Sequence, residues 1–185
     1  MTRKSALTYR DYESLPNDGR RYEIHDGELC VTLAPSFEHQ VILSNLVRAL
    51  MRHVPSVAPG LLLFAPLDVI LSDRADETTI LQPDCLYIAP DRMGLTSRRG
   101  MEGGPTLAIE ILSPSTRAID RGTKRALYAR YGVPYLWLVD PNARVIEAFL
   151  LERDRYVLAT SVAGADAADL PPFTRLGLVP DALWP

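Results

Sequence analysis

Two apolar runs flanking a segment of helical length constrain this chain most. The first is LAIEILSPST, residues 107–116, and the second is YGVPYLWLVDP, residues 131–141. Ser115 or Thr116 can cap the helix between them, about Arg117 to Tyr131, and Gly132 can close its C-terminus. Both runs are apolar along their length, as strands are in a sheet covered on both faces. This strand-helix-strand unit predicts a layered fold in which Glu110 interrupts a buried strand. A buried carboxylate without a partner costs several kcal/mol, roughly, so Glu110 needs a reason.

The remaining elements read from their local signals. Thr8 can cap a short helix from about Tyr9 to Leu15. Asp26-Gly27, between two β-prone runs in RYEIHDGELCVTL, predicts an N-terminal hairpin. Ser36 opens a helix of about Phe37 to His53, with Ile42, Leu43, Leu46, Val47 and Leu50 on its core face and Pro55 and Pro59 as its stop. Gly60 to Leu71 and Thr79 to Ala89 each read as one strand, and Asp91 to Gly104 as a loop. Alternating strands come next at Arg144 to Leu151 and Tyr156 to Ser161. The tail reads as loop from Ala163 to Pro172, with a last apolar turn at Leu178 to Trp184. The expectation is a mixed α/β (α+β) domain, residues 1–185, with a central mixed sheet flanked by helices.

Composition excludes several classes. Hydrophobic content of 47% and charged content of 23% are ordinary for a globular domain. The longest apolar runs are too short for a membrane helix, and the basic N-terminus lacks the apolar core of a signal peptide. Cys30 and Cys85 stand alone without metal-ligand spacing, so a reduced, cytoplasmic setting without a disulfide or zinc is expected. The net charge is −3, yet Arg92 to Arg130 holds 8 basic residues against 3 acids, a local balance of +5. Such a stretch is either a phosphate-tracking patch or a solvated helix face.

Four charged residues run against the apolar pattern: Glu23 in the hairpin, Asp84 after Pro83, Glu110, and Lys124 in the helix after it. Two neighbouring strands that each carry one inward acid can place both within reach of a hard cation such as Mg²⁺. Asp120, Lys124 and Tyr128 fall at i, i+4 and i+8 on one helix face. Taken singly, each residue has a plainer reading. Asp84 can be a turn residue, Glu110 half-exposed on an edge, Glu23 a partner of Arg20 or Arg21, and Lys124 a solvated lysine. Tyr128 reads as packing with a polar tip, and His25 and His53 as surface residues.

Pro83-Asp84, with Glu110-Ile111-Leu112 further on, resembles the PD-(D/E)XK nuclease superfamily, the restriction-endonuclease-like fold. YEIHDGEL, PSFEHQ, EILSPST, Asp120, Lys124 and YGVPYLWLVDP resemble the Uma-two family within it, from about residue 8 to the C-terminus. The resemblance implies a restriction-endonuclease-like core and a Mg²⁺- or Mn²⁺-dependent endonuclease acting on DNA. It implies Glu23, Asp84, Glu110 and Lys124 as the catalytic set, with Asp84 and Glu110 as metal ligands. His39, Arg117 and Arg121 are expected to contact substrate, although His39 reads equally well as a helix-terminal histidine bonded to the backbone. The superfamily pattern places a lysine where this chain has Leu112, so Lys124 is the implied replacement, moved to the next helix. Cleaving both strands favours a symmetric homodimer. The alternative is a binding or interaction protein that keeps the nuclease fold without turnover, which Leu112 and the acidic net charge favour.

Overall fold

The computed structural model describes residues 6–57 and 59–185. Residues 1–5, part of the basic stretch read above for a leader, lie outside the described residues. The chain opens with α1 (Tyr9–Glu13), closed by a capping box between Thr8 and Asp11. The Asp26-Gly27 turn joins β1 (Arg21–His25) to β2 (Glu28–Thr32), and its residues take φ of 50° and 80°. Helix α2 (Phe37–Val57) runs past Pro55, the first of the two expected stops, and ends before Pro59. One lost backbone hydrogen bond in the last turn does not end a helix anchored by its apolar face.

Both long strands expected in the middle of the chain are broken in two. Gly60 to Leu71 becomes β3 (Leu61–Phe64) and β4 (Val69–Ser72), and Thr79 to Ala89 becomes β5 (Thr79–Leu81) and β6 (Cys85–Ile88). Pro66 and Pro83 lie at the breaks, where a residue that cannot donate to a ladder lets the chain change sheets. The Asp91 to Gly104 loop contains a 3-10 turn and the short strands β7 (Thr96–Ser97) and β8 (Gly100–Met101). Then come β9 (Leu107–Ile111), α3 (Arg117–Ile119), a π-helical turn (Asp120–Lys124) and α4 (Arg125–Arg130). The C-terminal part is β10 (Tyr135–Asp140), β11 (Val145–Glu152), β12 (Arg155–Ala163), β13 (Ala168–Leu170) and β14 (Phe173–Leu178). The last two form a hairpin, with β13 inside the segment expected as loop, because Leu170, Phe173, Leu176 and Leu178 join the core under α2.

Two mixed sheets result. The central sheet has the order β12-β11-β10-β9-β6-β3, with β9 and β10 parallel and its other neighbours antiparallel. The N-terminal sheet has the order β2-β1-β5-β4-β8-β7. Alternation along β9 sends Leu107, Ile109 and Ile111 to the cluster around α2, with Ile42, Leu46, Leu50, Trp137 and Phe173. Ala108 and Leu112 point the other way, to Leu127, Tyr128, Leu136, Leu138 and Phe149. Each fully buried aliphatic side chain contributes about 1.5–3 kcal/mol, so both faces hold β9 in register. The same alternation aims Glu110 at the helical segment 117–130, which carries Lys124. The mixed α/β class expected from the sequence is the class observed.

Candidate active site

The site forms where the two sheets and the helical segment 117–130 meet. Asp84 lies at the crossing between β5 of the N-terminal sheet and β6 of the central sheet. Glu23 comes from β1, Glu110 from β9, and Asp120 and Lys124 from the two ends of the π-helical turn. All five are buried, with exposures of 2–4%. Glu23, Asp84, Glu110 and Lys124, far apart in the chain, thus line one cavity of about 350 Å³, together with Arg21, His39 and Asp120.

Lys124 is the hub. Its Nζ lies 2.7 Å from Glu110 Oε1, 3.0 Å from Glu23 Oε1 and 3.8 Å from Asp120 Oδ1. Burial alone would lower its pKa, but Glu110, Glu23 and Asp120 outweigh burial and hold the ammonium charged. Glu110 Oε1 also accepts from Tyr128 Oη at 2.6 Å, so the polar tip of Tyr128 belongs to the site. Burial, reinforced by the neighbouring acids, pushes Glu110 up to about 8 despite Lys124. Glu23 is held down to about 2, where Lys124, His25 and the Gln82 N–H overcome its burial. That amide donates to Glu23 Oε1 at 2.7 Å.

Asp84 has a separate set of partners. Its Oδ1 accepts from Arg21 Nη1 at 2.9 Å, and its Oδ2 accepts from the Ile111 N–H at 2.8 Å and faces His39 Nε2 at 3.1 Å. Against burial, His39 and Arg21 bring its pKa to about 2. His39 Nδ1 is buried without a hydrogen-bond partner among the described residues. The Ile111 amide is available because Asp84 sits just beyond the β6–β9 pairing, which ends at Cys85 and Ile109. Leu112, the position where the superfamily pattern has lysine, is buried in the apolar cluster with Leu127 and Tyr128.

Two expected substrate contacts lie elsewhere. Arg117 binds Asp140 at 2.6 Å, and Arg121 binds Asp140 and Glu147 at 3.2 and 2.6 Å, away from the cavity lining. Most of the wider basic stretch is engaged within the protein. Arg92 caps the carbonyls of Gly104 and Gly132, Arg99 pairs with Glu102 and Asp73, and Arg130 pairs with Asp26. Arg125 lies over Phe149, and Lys124 is inside the site. Sequence reasoning missed the role of Arg21. The signal was present, because period two puts Arg21, Glu23 and His25 on one side of β1. It also left Asp120 out of the site, although the i, i+4 spacing to Lys124 had placed it nearby.

The Uma2 family model, described as "Putative restriction endonuclease", matches residues 9–182. The chain belongs to the Uma2 family. A solved structure from Anabaena variabilis, described as "a putative nuclease belonging to DUF820", shares the fold with a TM-score of 0.72. It is 18% identical, and the match covers 96% of this chain and 97% of that one. A comparison with curated proteins gives no match. Among the described residues of this Uma2 protein, no helix is long and apolar enough to cross a membrane.

Proposed function

We propose that this protein is a Mg²⁺- or Mn²⁺-dependent endonuclease that hydrolyses DNA phosphodiester bonds. Charge balance carries the reading. Four buried carboxylates, Glu23, Asp84, Glu110 and Asp120, meet two cations, Arg21 and Lys124. Four minus two leaves two negative charges once Glu110 gives up its proton and with the histidines neutral, which one divalent cation offsets. The donors are carboxylate oxygens, the preference of a hard cation. Asp84 and Glu110 would hold it. When bound, such an ion activates water and neutralises charge developing on the phosphate.

The protein's own groups would do the rest. Lys124, steadied by Glu23, holds the attacking water or a phosphate oxygen beside Glu110. Tyr128 fixes the Glu110 carboxylate, while Arg21 and the Ile111 amide fix Asp84. His39, anchored to Asp84 by Nε2, lines the same cavity and can relay a proton through that nitrogen. A groove of about 700 Å³ adjoins the cavity and shares Arg21, Ala34 and Pro35 with it, giving the strand a route in. A symmetric homodimer would bring two such sites to a duplex. The test is cleavage of plasmid and oligonucleotide DNA with Mg²⁺ or Mn²⁺, against Glu110→Gln and Lys124→Ala. Mutants as active as the wild type would overturn the assignment.

One observation favours a second reading, a nuclease fold retained for binding without turnover. Asp84 is already engaged on both oxygens by protein groups. Calorimetric titration with Mn²⁺ separates the two, since a non-binding wild type at millimolar metal supports the second.

A further inference from the structure

Glu23 faces two ways. Its Oε1 belongs to Lys124 and the Gln82 amide, while its Oε2 lies 3.0 Å from His25 Nε2. Glu23 and His25 are two residues apart on β1 and so share a face. Cys30 is the direct cross-strand partner of Glu23 on β2. A carboxylate oxygen, an imidazole nitrogen and the Cys30 sulfur all lie within 4.8 Å of one another. The hairpin that brings them together is closed by Asp26-Gly27, so their spacing is set by local backbone geometry. Beside them opens a surface pocket of about 510 Å³, lined by His25, Cys30 and Thr123.

We propose that Glu23, His25 and Cys30 form a second metal site, selective for a thiophilic divalent cation such as Zn²⁺ or Co²⁺. The donor set differs in kind from the oxygen ligands at Asp84 and Glu110. Sulfur and imidazole favour borderline and soft ions over Mg²⁺. Three protein ligands leave a tetrahedral ion one position open to solvent, the pattern of an exchangeable site. A thiolate and a carboxylate together neutralise a divalent charge, and the thiol gives its proton to solvent on binding. Helical spacing or sheet alternation alone would not have disclosed the set, because its third member comes from the facing strand. The site has a consequence for Lys124. An ion on Oε2 draws on the same carboxylate that holds the ammonium through Oε1, so occupancy loosens Lys124 from Glu23.

The test is titration of the whole protein with Co²⁺, which gains a thiolate-to-cobalt charge-transfer band in the near ultraviolet when sulfur is a ligand. One equivalent is expected to bind with that band, and Zn²⁺ is expected to displace it. Cys30→Ser is expected to abolish the band and His25→Ala to weaken binding at least tenfold. Cys85→Ser and Asp84→Asn are expected to leave it intact, which separates this site from the hard-cation position and from nuclease activity. Circular dichroism checks that each variant is folded. Zinc-edge X-ray absorption of the wild type, which needs no variant, is expected to show one sulfur neighbour. Absence of the band, its survival in Cys30→Ser, or a sulfur-free zinc shell would overturn the proposal.

Discussion

Lys124 is the residue whose loss changes the site most. Truncating it leaves Glu23, Glu110 and Asp120 buried without the ammonium they share. Lys124→Ala is expected to destabilise the metal-free protein by about 3–5 kcal/mol, read from urea unfolding, because uncompensated buried charges are costly. DNA cleavage should fall at least ~100-fold in the same variant. Glu110 gives a pH signature. Its folded pKa of about 8 stands above the ordinary 4.5, so its contribution is complete below the ordinary value and lost as pH rises through about 8. Glu23 and Asp84, both held near 2, act in the opposite sense and lose their contribution as pH falls through about 2. In chelator, the thermal stability of the wild type should therefore fall from about pH 5 to 8, and Glu110→Gln should flatten that decline. An unchanged slope in Glu110→Gln would contradict the assignment of the proton to Glu110. On the proposed reading, Leu112 is a poor place for the lysine. Its side chain is packed among Leu127 and Tyr128, and an ammonium there would be buried in an apolar cluster.

Among elements, the π-helical turn at Asp120–Lys124 decides where the lysine points. A π turn carries one extra residue and shifts the phase of the helical residues after it, and such turns recur at functional sites. The helical expectation for this segment had the right length and the right residues, but not the bulge. Removing Thr123 would convert the turn to regular α-helix and shorten the spacing between Asp120 and Lys124 by one residue, which moves the ammonium off its present aim. That deletion is expected to abolish cleavage while leaving the far-ultraviolet circular dichroism spectrum near that of the wild type; retained cleavage would show that the bulge is dispensable. The hairpin offers a second check. Gly27 has φ of 80°, so Gly27→Ala is expected to cost about 1–2 kcal/mol in unfolding free energy. Its added Cβ would also approach Ala6 Cβ to 2.5 Å.

Across the whole molecule, the site is a junction rather than a motif. Asp84 enters from the seam between the sheets, Glu23 from the N-terminal sheet, Glu110 from the central sheet and Lys124 from the helix that connects two of its strands. Metal binding should thus stabilise the entire fold. A Mg²⁺ or Mn²⁺ concentration 100 times the dissociation constant is expected to add about 2.7 kcal/mol, visible as a raised melting temperature. Asp84→Asn should show little of that rise, and an equal rise would place the ion elsewhere. The features legible in the chain alone were local: the strand-helix-strand unit, the Asp26-Gly27 hairpin, the core face of α2, and the four charges that contradict their apolar surroundings. These come from period, capping and turn chemistry, which act over a few residues. The broken middle strands, the C-terminal hairpin, Arg21 as the partner of Asp84, and the binding of Arg117 and Arg121 to Asp140 came only with the tertiary structure. Each depends on which residue stands opposite after long-range pairing, and a carboxylate selects its cation by distance in space, not by spacing along the chain.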